Sequence, residues 1–551
     1  MPVSPTYPGI YIEEIQSSVH TITAAPTNIA VFIGYSHPFK SQTLVFDAAT
    51  HKVDLLAAVF GQAVELFSFS DYERYFGGFF SNPLFSPDPT LAPNDYFGSL
   101  PLAVYQFFLN GGTHCYVVGL QAKLNGSPLT PGSVDVGGIT FTARELTDPS
   151  HPMVITVTPR GSDVTSPPSP PGPDIADITI TYGSGAGAVV ETYRKVVLSN
   201  IEATIGTVAK PISNIVVVSP TSSTYPSFFP SGGPYTIGDT VPTSPPQPGI
   251  SIAADFTAVF QQDTSLDKVP IFNLMVLPGV TSNDVLSEAL SFCETKRAFL
   301  IIDPPQPDGA QQDASWIGNY MGSGDAYGNV APLAPNAAIY FPYMASNDPQ
   351  TGDPITLPPA ATVAGIYATT DLNRGVWKAP AGLETTIIGI TGVVPTGQMS
   401  DMRQGTLNQI AINCLRSFPG TGTVVFGART SVAANPAQQQ WKYVPVRRMA
   451  LFLEQTLYSN LSWVIFEPND TPLWTAIVAS IQAFMLGLFR QGAFQGATPS
   501  DAFQVKCDSQ TTTQADINDG IVNIVVAFAP LKPAEFVVIQ ISQLAGQTQT
   551  S

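Results

Sequence analysis

The spacing of apolar and polar residues changes along this chain, and after about residue 250 it is typical of alternating strands and helices. "VPIFNLMVL" at 269–277 is an apolar run of strand length, and "TSNDVLSEALSFCE" at 281–294 begins with helix-capping residues. "RAFLIID" at 297–303 and "AAIYFPYM" at 337–344 are further apolar runs of strand length. A strand, a helix and a strand in succession predict a βαβ unit and therefore a parallel sheet.

The stretch from about 121 to 250 has a different pattern. It carries the proline clusters "SPPSPPGPD" at 166–174 and "TSPPQPG" at 243–249, together with the short alternating runs "ITFTARE", "MVITVTP" and "DITITYG". We expect a small β-rich domain, inserted through proline-rich hinges at a surface where the chain begins and ends the insertion at nearby points.

Helix-start signals are dense in the last hundred residues. "EPND" at 467–470 precedes an apolar stretch, where Thr471 is the predicted N-cap and Pro472 the first helical residue. Arg490 near the negative end and Gly492 beyond it mark the end of this helix. Its apolar part, 474–489, is shorter than the roughly 20 residues of a membrane span, so a buried helix is predicted.

A second helix start and two strands complete the chain. Thr498 is a predicted cap, with Pro499 at N1 and Asp501 at N3 in a carboxylate variant of the capping box. "IVNIVVAFAP" at 521–530 places four apolar side chains on one strand face, namely Val522, Ile524, Val526 and Phe528. "EFVVIQIS" at 535–542 does the same with Val537, Ile539 and Ile541.

Near the N-terminus, "YPGIYIEEI" at 7–15 is a strand without an adjacent hairpin partner. The unpaired backbone groups of an isolated strand must find partners or stay in water. The residues alone leave two interpretations open for both terminal strands. "YPGIYIEEI" can be an edge strand of its own domain and "EFVVIQIS" a hairpin partner of 521–530, or both can pair with another subunit.

Composition and charge exclude several classes of function. The chain has 551 residues, enough for two or three domains, and a net charge of −18, which disfavours binding to nucleic acid or an anionic lipid surface. Only 12% of the residues are charged, which fits a surface covered by other subunits or one rich in uncharged polar residues. The start "MPVSPTYPGI" lacks the features of a secretory signal, so synthesis and folding are expected in the cytoplasm.

The sequence contains no constellation typical of an enzyme. Its four cysteines are far apart and are predicted to be free, buried thiols, and its five histidines show no metal-ligand spacing. No nucleophile elbow and no phosphate-binding loop occurs. Asp303 follows a predicted strand, where α/β enzymes place catalytic groups, but the next residues, "PPQP", favour a turn-capping role. We therefore predict no catalytic residues, no metal site and no cofactor.

Eight segments together carry a resemblance to one family. The chain resembles the tail sheath proteins of contractile phage tails and related contractile injection systems in residues 7–36, 100–120 and 250–543. The resemblance rests on "YPGIYIEEI", "FFLNGGTHCYVV", "VAGIYATTDLNRGVWKAPAG", "LNQIAINCLRSFPGTGTVVFGARTS", "WKYVPVRRM", "FEPNDTPLW", "FRQGAFQGATPSDAFQVKCD" and "LKPAEFVVIQI". The stretch 121–250 shows no such resemblance, as expected of an outward-facing insertion.

The resemblance implies a mechanical function. In that family the two terminal arms add strands to the core sheet of a neighbouring subunit, and hexameric rings stack as a helical sleeve around an inner tube. On a baseplate signal the sleeve contracts and drives the tube through a target envelope. The implied partners are further copies of the chain, the tube protein, and baseplate and terminal cap proteins, with no nucleic acid and no membrane insertion. Assembly is implied in the bacterial cytoplasm, as part of a phage tail or a phage-tail-like particle.

The resemblance also assigns residues to contacts. The N-terminal arm comprises Tyr7, Pro8, Gly9, Ile10, Tyr11, Ile12, Glu13 and Glu14. The C-terminal arm comprises Glu535, Phe536, Val537, Val538, Ile539, Gln540 and Ile541. A helix of the C-terminal domain faces the tube in this family, so residues 471–506 are the candidate region, with Arg490, Asp501 and Lys506 as polar contacts.

The predicted fold is a mixed α/β sheath core with extended terminal strand arms and an inserted β-rich outer domain. The predicted boundaries are 1–35 for the N-terminal arm and first core strand, 36–120 for the N-terminal part of the sheath domain, 121–250 for the insertion, 251–400 for the α/β sheath domain, 401–530 for the C-terminal core domain and 531–551 for the C-terminal arm. The alternatives are a minor sheath paralogue at the baseplate or cap end and, more distantly, a cytoplasmic α/β enzyme.

Overall fold

A computed structural model of the chain describes residues 20–47, 52–57, 60–80, 99–124, 127–149, 151–160, 175–226, 228–230, 232–240, 252–305, 314–324, 330–350, 352–394 and 399–541. The chain divides into two compact units. The larger unit contains residues 26–373 and 380–442. The smaller unit combines the N-terminal residues up to 25 with residues 374–379 and everything from 443 onward.

The first part of the larger unit supplies three strands of its main sheet and a separate hairpin. Its elements are β1 (Ala30–Tyr35), β2 (Gln42–Asp47), β3 (Lys52–Ala57), β4 (Ala63–Leu66), α1 (Phe69–Phe76), α2 (Ser99–Leu109) and β5 (Cys115–Leu120).

The next part consists almost entirely of short strands. Its elements are β6 (Lys123–Leu124), β7 (Ser127–Pro128), β8 (Ser133–Asp135), β9 (Ile139–Ala143), β10 (Met153–Pro159), β11 (Ile175–Tyr182), β12 (Val189–Val197), α3 (Ile201–Ile205), β13 (Val216–Pro220) and β14 (Gly232–Thr236).

Alternating helices and strands follow, up to the end of the larger unit. These elements are α4 (Ile252–Thr257), β15 (Leu274–Val276), α5 (Asn283–Lys296), β16 (Phe299–Ile302), α6 (Ala314–Gly322), β17 (Ala337–Phe341), β18 (Tyr343–Asn347), β19 (Pro354–Leu357), α7 (Ala360–Arg374), β20 (Gly392–Val394), α8 (Asp401–Gln409), β21 (Ile412–Phe418) and β22 (Gly422–Val425).

An eight-stranded sheet in the order β22-β21-β17-β16-β15-β1-β5-β4 forms the centre of the larger unit. Its six inner strands are parallel, and the edge strands β22 and β4 are antiparallel to their neighbours. Every residue of β1, β15, β16 and β17 is buried, which explains their continuous apolar sequences. The predicted βαβ unit is confirmed as β15, α5 and β16, with β15 parallel to β16.

The inserted segment has a hydrophobic core of its own. A four-stranded sheet, β12-β11-β10-β14, and a three-stranded sheet, β13-β9-β8, are packed around buried residues that run from Val136 to Ile237. The alternating sequences of β9, β10 and β11 produce alternating buried and more exposed side chains, as predicted. We refer to residues 130–240 as the inserted module.

The inserted module is attached to the main sheet domain by a buried polar cluster. The ring of His37, which follows β1, lies 3.0 Å from a carboxylate oxygen of Glu145, which follows β9, and Lys40 forms an ion pair with the same carboxylate. Burial lowers the pKa of His37, although Glu145 acts against that shift. Close to Glu145 in the chain, Ala143 bonds Gly132 and Thr147 bonds Thr240. The Gly132 amide donates to Thr240 Oγ1 (3.3 Å), so the two ends of the module lie close together, beside this cluster.

The smaller unit is built on two long helices. Its elements are α9 (Val444–Asn460), α10 (Thr471–Arg490), α11 (Pro499–Ala502), β23 (Phe503–Lys506), α12 (Gln514–Asn518) and β24 (Val525–Phe528). The core contains Met449, Leu453, Trp474, Ile481 and Met485, among others, from α9 and α10. Val522, Ile524, Val526 and Phe528 pack against this core on one face, as predicted, although the paired strand begins only at Val525.

Two sequence predictions about these helices need correction. The N-cap of α10 is Asp470, whose carboxylate accepts from the Leu473 amide at 3.3 Å, and Thr471 is already the first helical residue. Both side chains can cap a helix. In the structure Asp470 is the cap, so Pro472 occupies the second helical position. The helix is also 20 residues long, so by length and composition it could cross a membrane. Its apolar face, however, is packed in the core of the smaller unit.

The end of α10 and the start of α11 follow the prediction. Arg490 lies in the last turn of α10, and Gly492 beyond it has a φ of 77°, a left-handed conformation that glycine adopts without strain. At α11 the Thr498 amide donates to the Asp501 carboxylate at 3.2 Å, which is the predicted capping box.

The predicted boundary at 400/401 lies inside the larger unit. β21 pairs in parallel with β17, and β22 pairs with β21, so residues 401–442 complete the main sheet rather than begin a C-terminal domain. The division between the units lies at 442/443.

Candidate inter-subunit contact sites

The C-terminal arm is exposed along most of its described length. Residues 531–541 form no strand with other described residues, although "EFVVIQIS" has a strand pattern. Large apolar side chains are 72% to 93% exposed at five positions, which are Phe536, Val537, Val538, Ile539 and Ile541. A contiguous exposed run of this kind is typical of an interaction site, because each such side chain gains about 1.5–3 kcal/mol when it is fully buried.

The arm begins at a defined point of the smaller unit. The Gln495 amide donates to the Ala529 carbonyl at 2.9 Å, and Phe494 and Pro530 form an isolated antiparallel bridge. A carboxylate oxygen of Glu535 accepts from the Tyr443 hydroxyl at 3.2 Å. Glu535 is therefore attached to its own unit by its side chain, and the exposed run begins with the next residue.

The hairpin interpretation of the C-terminal strand is not realised. β24 pairs with β23, from Phe503 opposite Phe528 to Lys506 opposite Val525, and not with residues 535–541. The resulting sheet has only two strands among the described residues, and a two-stranded sheet is marginally stable in water. The edges of such a sheet offer backbone groups to an added strand, except directly after β24, where Ala529 and Pro530 already pair with Gln495 and Phe494.

The β22 edge of the main sheet is already occupied by another segment of the chain. Residues 382–387 run along β22, where the Gly382 amide donates to the Val425 carbonyl (2.9 Å) and the Ile387 amide to the Thr423 carbonyl (2.8 Å). Backbone groups on that side of β22 are therefore already paired, whereas β23 and β24 form a sheet with two strands only.

The predicted N-terminal arm, Tyr7 to Glu14, lies outside the described residues. The segment that follows it is described and is held against α9 and α10. The backbone amides of His20, Thr23 and Ala25 donate to side-chain oxygens of Ser480 (3.1 Å), Asn460 (3.0 Å) and Thr456 (3.1 Å), respectively. We call residues 20–25 the N-terminal strap.

Further contacts fix the N-terminal strap. Asn460 Nδ2 donates to the Thr23 carbonyl at 2.9 Å, so its amide group bonds both backbone groups of one residue. Ile22 is buried in the core of the smaller unit, and the His20 ring stacks on Trp463 with a centroid distance of 3.9 Å.

Sequence reasoning missed Thr456, Asn460 and Ser480 as functional candidates. A signal existed for Ser480, a hydroxyl inside the most apolar stretch of the chain, where a serine in a helix usually bonds a carbonyl four residues back. It does so here with Ala476 at 2.8 Å, and it also accepts from His20. The strap partners are 431 to 460 residues away in sequence, so no local pattern connects them.

The three candidate tube contacts lie on consecutive elements of the smaller unit. Arg490 is exposed at the end of α10, Asp501 is exposed in α11, and Lys506 is half-buried at the end of β23. The carboxylate of Asp501 accepts from the Thr498 amide and hydroxyl. Lys506 Nζ donates to Gln510 Oε1. Two of the three side chains thus have local structural partners.

Asp303 has the structural role that the sequence favours. Its carboxylate is buried and accepts from the Gly279 amide (2.9 Å) and from the Ala360 amide at the start of α7 (2.7 Å). Burial raises the pKa of this group to about 7, against the effect of these two hydrogen bonds. The carboxylate thus joins the turn after β15 to the N-terminus of α7.

The described residues contain no cluster of three or more histidine, cysteine or acidic side chains that could hold a metal ion. All four cysteines are free and buried, as predicted. Burial raises the pKa of each thiol, most strongly at Cys115, Cys293 and Cys414, which keeps these thiols protonated and unreactive.

Comparisons with known proteins give consistent matches. The phage tail sheath protein central domain matches residues 265–431, and the phage tail sheath C-terminal domain matches residues 437–543. A prophage major tail sheath protein of Pseudomonas aeruginosa is 25% identical over 297 residues, which cover 52% of this chain and 69% of that protein. The tail sheath protein of Vibrio phage KVP40 is 27% identical over 180 residues, covering 32% of this chain and 25% of that protein.

Solved structures share the fold over nearly the whole chain. The sheath of the extracellular contractile injection system PVC, in its contracted state, has a TM-score of 0.55 at 21% identity and covers 98% of this chain and 99% of that one. The contracted helical sheath of the anti-feeding prophage has a TM-score of 0.54 at 21% identity, with 98% and 100% coverage. The sheath tail protein of Desulfitobacterium hafniense has a TM-score of 0.53 at 12% identity, with 95% and 100% coverage.

Proposed function

Because the chain belongs to the phage tail sheath family, we propose that it polymerises as a helical sleeve of hexameric rings around an inner tube and contracts to drive that tube through a target envelope. The protein is a contractile sheath subunit and a component of a phage tail or phage-tail-like particle. Its role is structural. Baseplate and terminal cap proteins are the further proposed partners, and assembly in the bacterial cytoplasm is proposed with them.

One observation of the structure carries this proposal furthest. The smaller unit has an exposed apolar arm of strand pattern and, separately, a sheet that contains two strands among the described residues. An arm that leaves one subunit and an edge that accepts a strand on the next are different surfaces, so the contact is heterologous and propagates into rings or helices. We propose the sheet of β23 and β24, rather than the β22 edge of the main sheet, as the acceptor of the neighbour's arms.

The free energy for contraction would be stored at assembly. Main-chain hydrogen bonds between an added strand and its acceptor contribute about 0.5–1.5 kcal/mol each, and they can persist while the rest of two subunits rotate and repack. Subunits that form more contact in the contracted state release the stored free energy without a nucleotide. Each arm then serves as a tether during the movement.

Deletion of residues 533–551 tests the strand exchange. The truncated subunit should remain soluble and melt cooperatively, because none of the apolar side chains of residues 536–541 is buried in its own unit. It should fail to form sleeves, as seen by electron microscopy and sedimentation. Ile539→Pro removes one backbone donor and should weaken assembly in the same way, whereas Ile539→Val preserves the strand and should assemble like the parent. A truncated chain that precipitates or loses its thermal transition would show that the arm stabilises its own subunit.

The tube contact stays a proposal and is tested by charge reversal. Asp501 is unsuitable, because its carboxylate completes the capping box of α11 and its loss would destabilise the helix start. Arg490→Glu combined with Lys506→Glu should reduce co-purification of the tube protein while rings still form. Lys210→Glu is the control, because it makes the same reversal of charge at an exposed residue of the inserted module. Unchanged co-purification of the double variant would remove both residues from the tube interface.

A further inference from the structure

The N-terminal strap shows where the N-terminal arm is fixed to its own subunit. After residue 25 the chain continues into the larger unit, where β1 begins at Ala30, but the strap itself belongs to the smaller unit. The smaller unit also includes the C-terminal arm. Both arms are thus connected to the same unit, although they lie at opposite ends of the sequence.

We propose that Thr456, Asn460 and Ser480 fix the N-terminal strap, so that tension applied by a neighbouring subunit to the chain before His20 passes into α9 and α10 rather than into β1. This inference rests on the proposed strand exchange. The inference assigns a positioning role to three residues. It also means that the tension is carried by α9 and α10 during contraction, and not by the larger unit.

The backbone of the strap is bonded to side chains of two helices. The amides of His20, Thr23 and Ala25 each donate to a side-chain oxygen on a helix. Asn460 donates back to the Thr23 carbonyl at 2.9 Å and to the Thr456 carbonyl at 2.8 Å, so its amide group is held in orientation by its own helix. Thr456 and Ser480 are buried, which protects their bonds to the strap from competition by water.

Packing adds to these hydrogen bonds. Ile22 lies between the bonded residues and is buried in the core of α9 and α10. The His20 ring stacks on Trp463, which follows α9, with an interplanar angle of 20°. A pull on residue 19 therefore has to break several bonds within six residues before it reaches the chain that leads to β1.

Hydrogen exchange on the soluble subunit directly tests whether these three side chains hold the N-terminal strap. In the parent protein, the amides of His20, Thr23 and Ala25 should exchange at least tenfold more slowly than in an unfolded chain. Thr456→Val removes the acceptor of the Ala25 amide while preserving the shape of the side chain, and Thr456→Ser retains the hydroxyl. The valine variant should lose the protection of residues 20–25 and the serine variant should retain it, with β1 equally protected in both.

Sleeves made from the same variants test the path of force. The combination of Thr456→Val with Ser480→Ala should assemble but separate into rings when the sleeves contract, whereas Thr456→Ser should contract as an intact sleeve. Intact contraction of the combined variant would overturn the proposed path of force. Fast exchange of the strap amides in the parent protein would show, without any variant, that the strap is not held.

If the parent forms no sleeve at all, the proposed function fails, while the exchange result still decides whether the strap is held by its own subunit. If the combined variant does not fold, Asn460→Asp replaces it, because aspartate retains the acceptor for Thr23 but loses the donor to its carbonyl.

Discussion

At the scale of single residues, Asp303 is a buried carboxylate whose pKa depends on the fold. Its carboxylate has two amide donors and no exposed surface of consequence, and burial raises its pKa to about 7. An unfolded chain ionises this residue near pH 4. Between these two values the folded protein binds the proton that the unfolded chain releases, so the free energy of unfolding should decrease as the pH rises from about 4 to about 7.

Asp303→Asn should remove this part of the pH dependence. The parent should lose a few kcal/mol of unfolding free energy across that range, and the variant should show a flatter profile, because asparagine carries no ionisable proton. Urea unfolding between pH 4.5 and pH 8 measures the difference. Asp516→Asn is the control: Thr513 lowers the pKa of Asp516, so this carboxylate stabilises the fold equally throughout pH 4.5–8, and its removal should lower the profile there without changing its slope. Parallel profiles for the parent and Asp303→Asn would contradict the argument.

At the scale of elements, the sequence predicts where α10 starts but does not decide which residue caps it. "EPNDTP" predicts the start of the helix to within one residue. The ambiguity of one residue remains because Asp470 and Thr471 are both good caps and Pro472 fits either the first or the second helical position. Only the geometry shows that the Asp470 carboxylate accepts from the Leu473 amide.

Two alanine substitutions should distinguish these neighbours. Asp470→Ala removes the cap and a negative charge at the positive end of the helix, so it should lower the free energy of unfolding by about 1 kcal/mol. Thr471→Ala should change it by no more than a few tenths, because alanine is a good helix former and the Thr471 side chain is exposed. Thermal and urea unfolding of both variants measure the difference. Equal losses, or a larger loss for Thr471→Ala, would mean that the cap is shared or lies one residue later.

The sequence predicts those parts of the candidate sites that depend on local patterns, but not those that depend on contacts between distant residues. The strand pattern of residues 535–541 and the capping box at Thr498 are local, so the sequence predicts them. The pairing of β24 with β23 is also between near neighbours in sequence, yet the hairpin alternative with residues 535–541 was equally compatible with the pattern. The strap could not be predicted, because its hydrogen bonds join residues 20–25 to helices more than 400 residues later.

At the scale of the whole molecule, the inserted module should be removable. Most of its buried apolar residues, from Val136 to Ile237, form a cluster of their own, separate from the core of the main sheet. Leu146 is an exception, because it packs with Phe80, Phe39 and Leu129. Leu129, however, packs against the main core, and the β6–β7 hairpin is attached to it through an ion pair between Lys123 and Asp255. The best deletion therefore removes residues 130–250 and joins Leu129 to residue 251 by a short Gly/Ser bridge.

The deleted protein should fold and polymerise, because the main sheet, the strap and the C-terminal arm are all retained. Removing Glu145 leaves His37 without its acidic partner, so a modest decrease in melting temperature is expected, and Glu145→Gln in the full chain is the matched control for it. Circular dichroism, thermal melting and electron microscopy are the measurements. An insoluble or non-polymerising product would place part of the module within the sheath core.

The wider organisation of the chain was predictable where it depends on periodicity. Apolar runs buried on both faces predicted the parallel sheet, and alternation predicted the strands of the module. The boundary at 400/401 was wrong, because no local signal in residues 401–442 shows that β21 pairs with β17, some 70 residues earlier. Pairing of distant strands is decided by the assembled sheet.

The proximity of Gly132 and Thr240 has an evolutionary consequence. A module whose ends lie close together and whose core is its own can be exchanged, lengthened or lost in one recombination event, while the segments used for assembly stay unchanged. Its sequence can therefore diverge under pressures such as immune surveillance or habitat, at a rate independent of the rest of the protein.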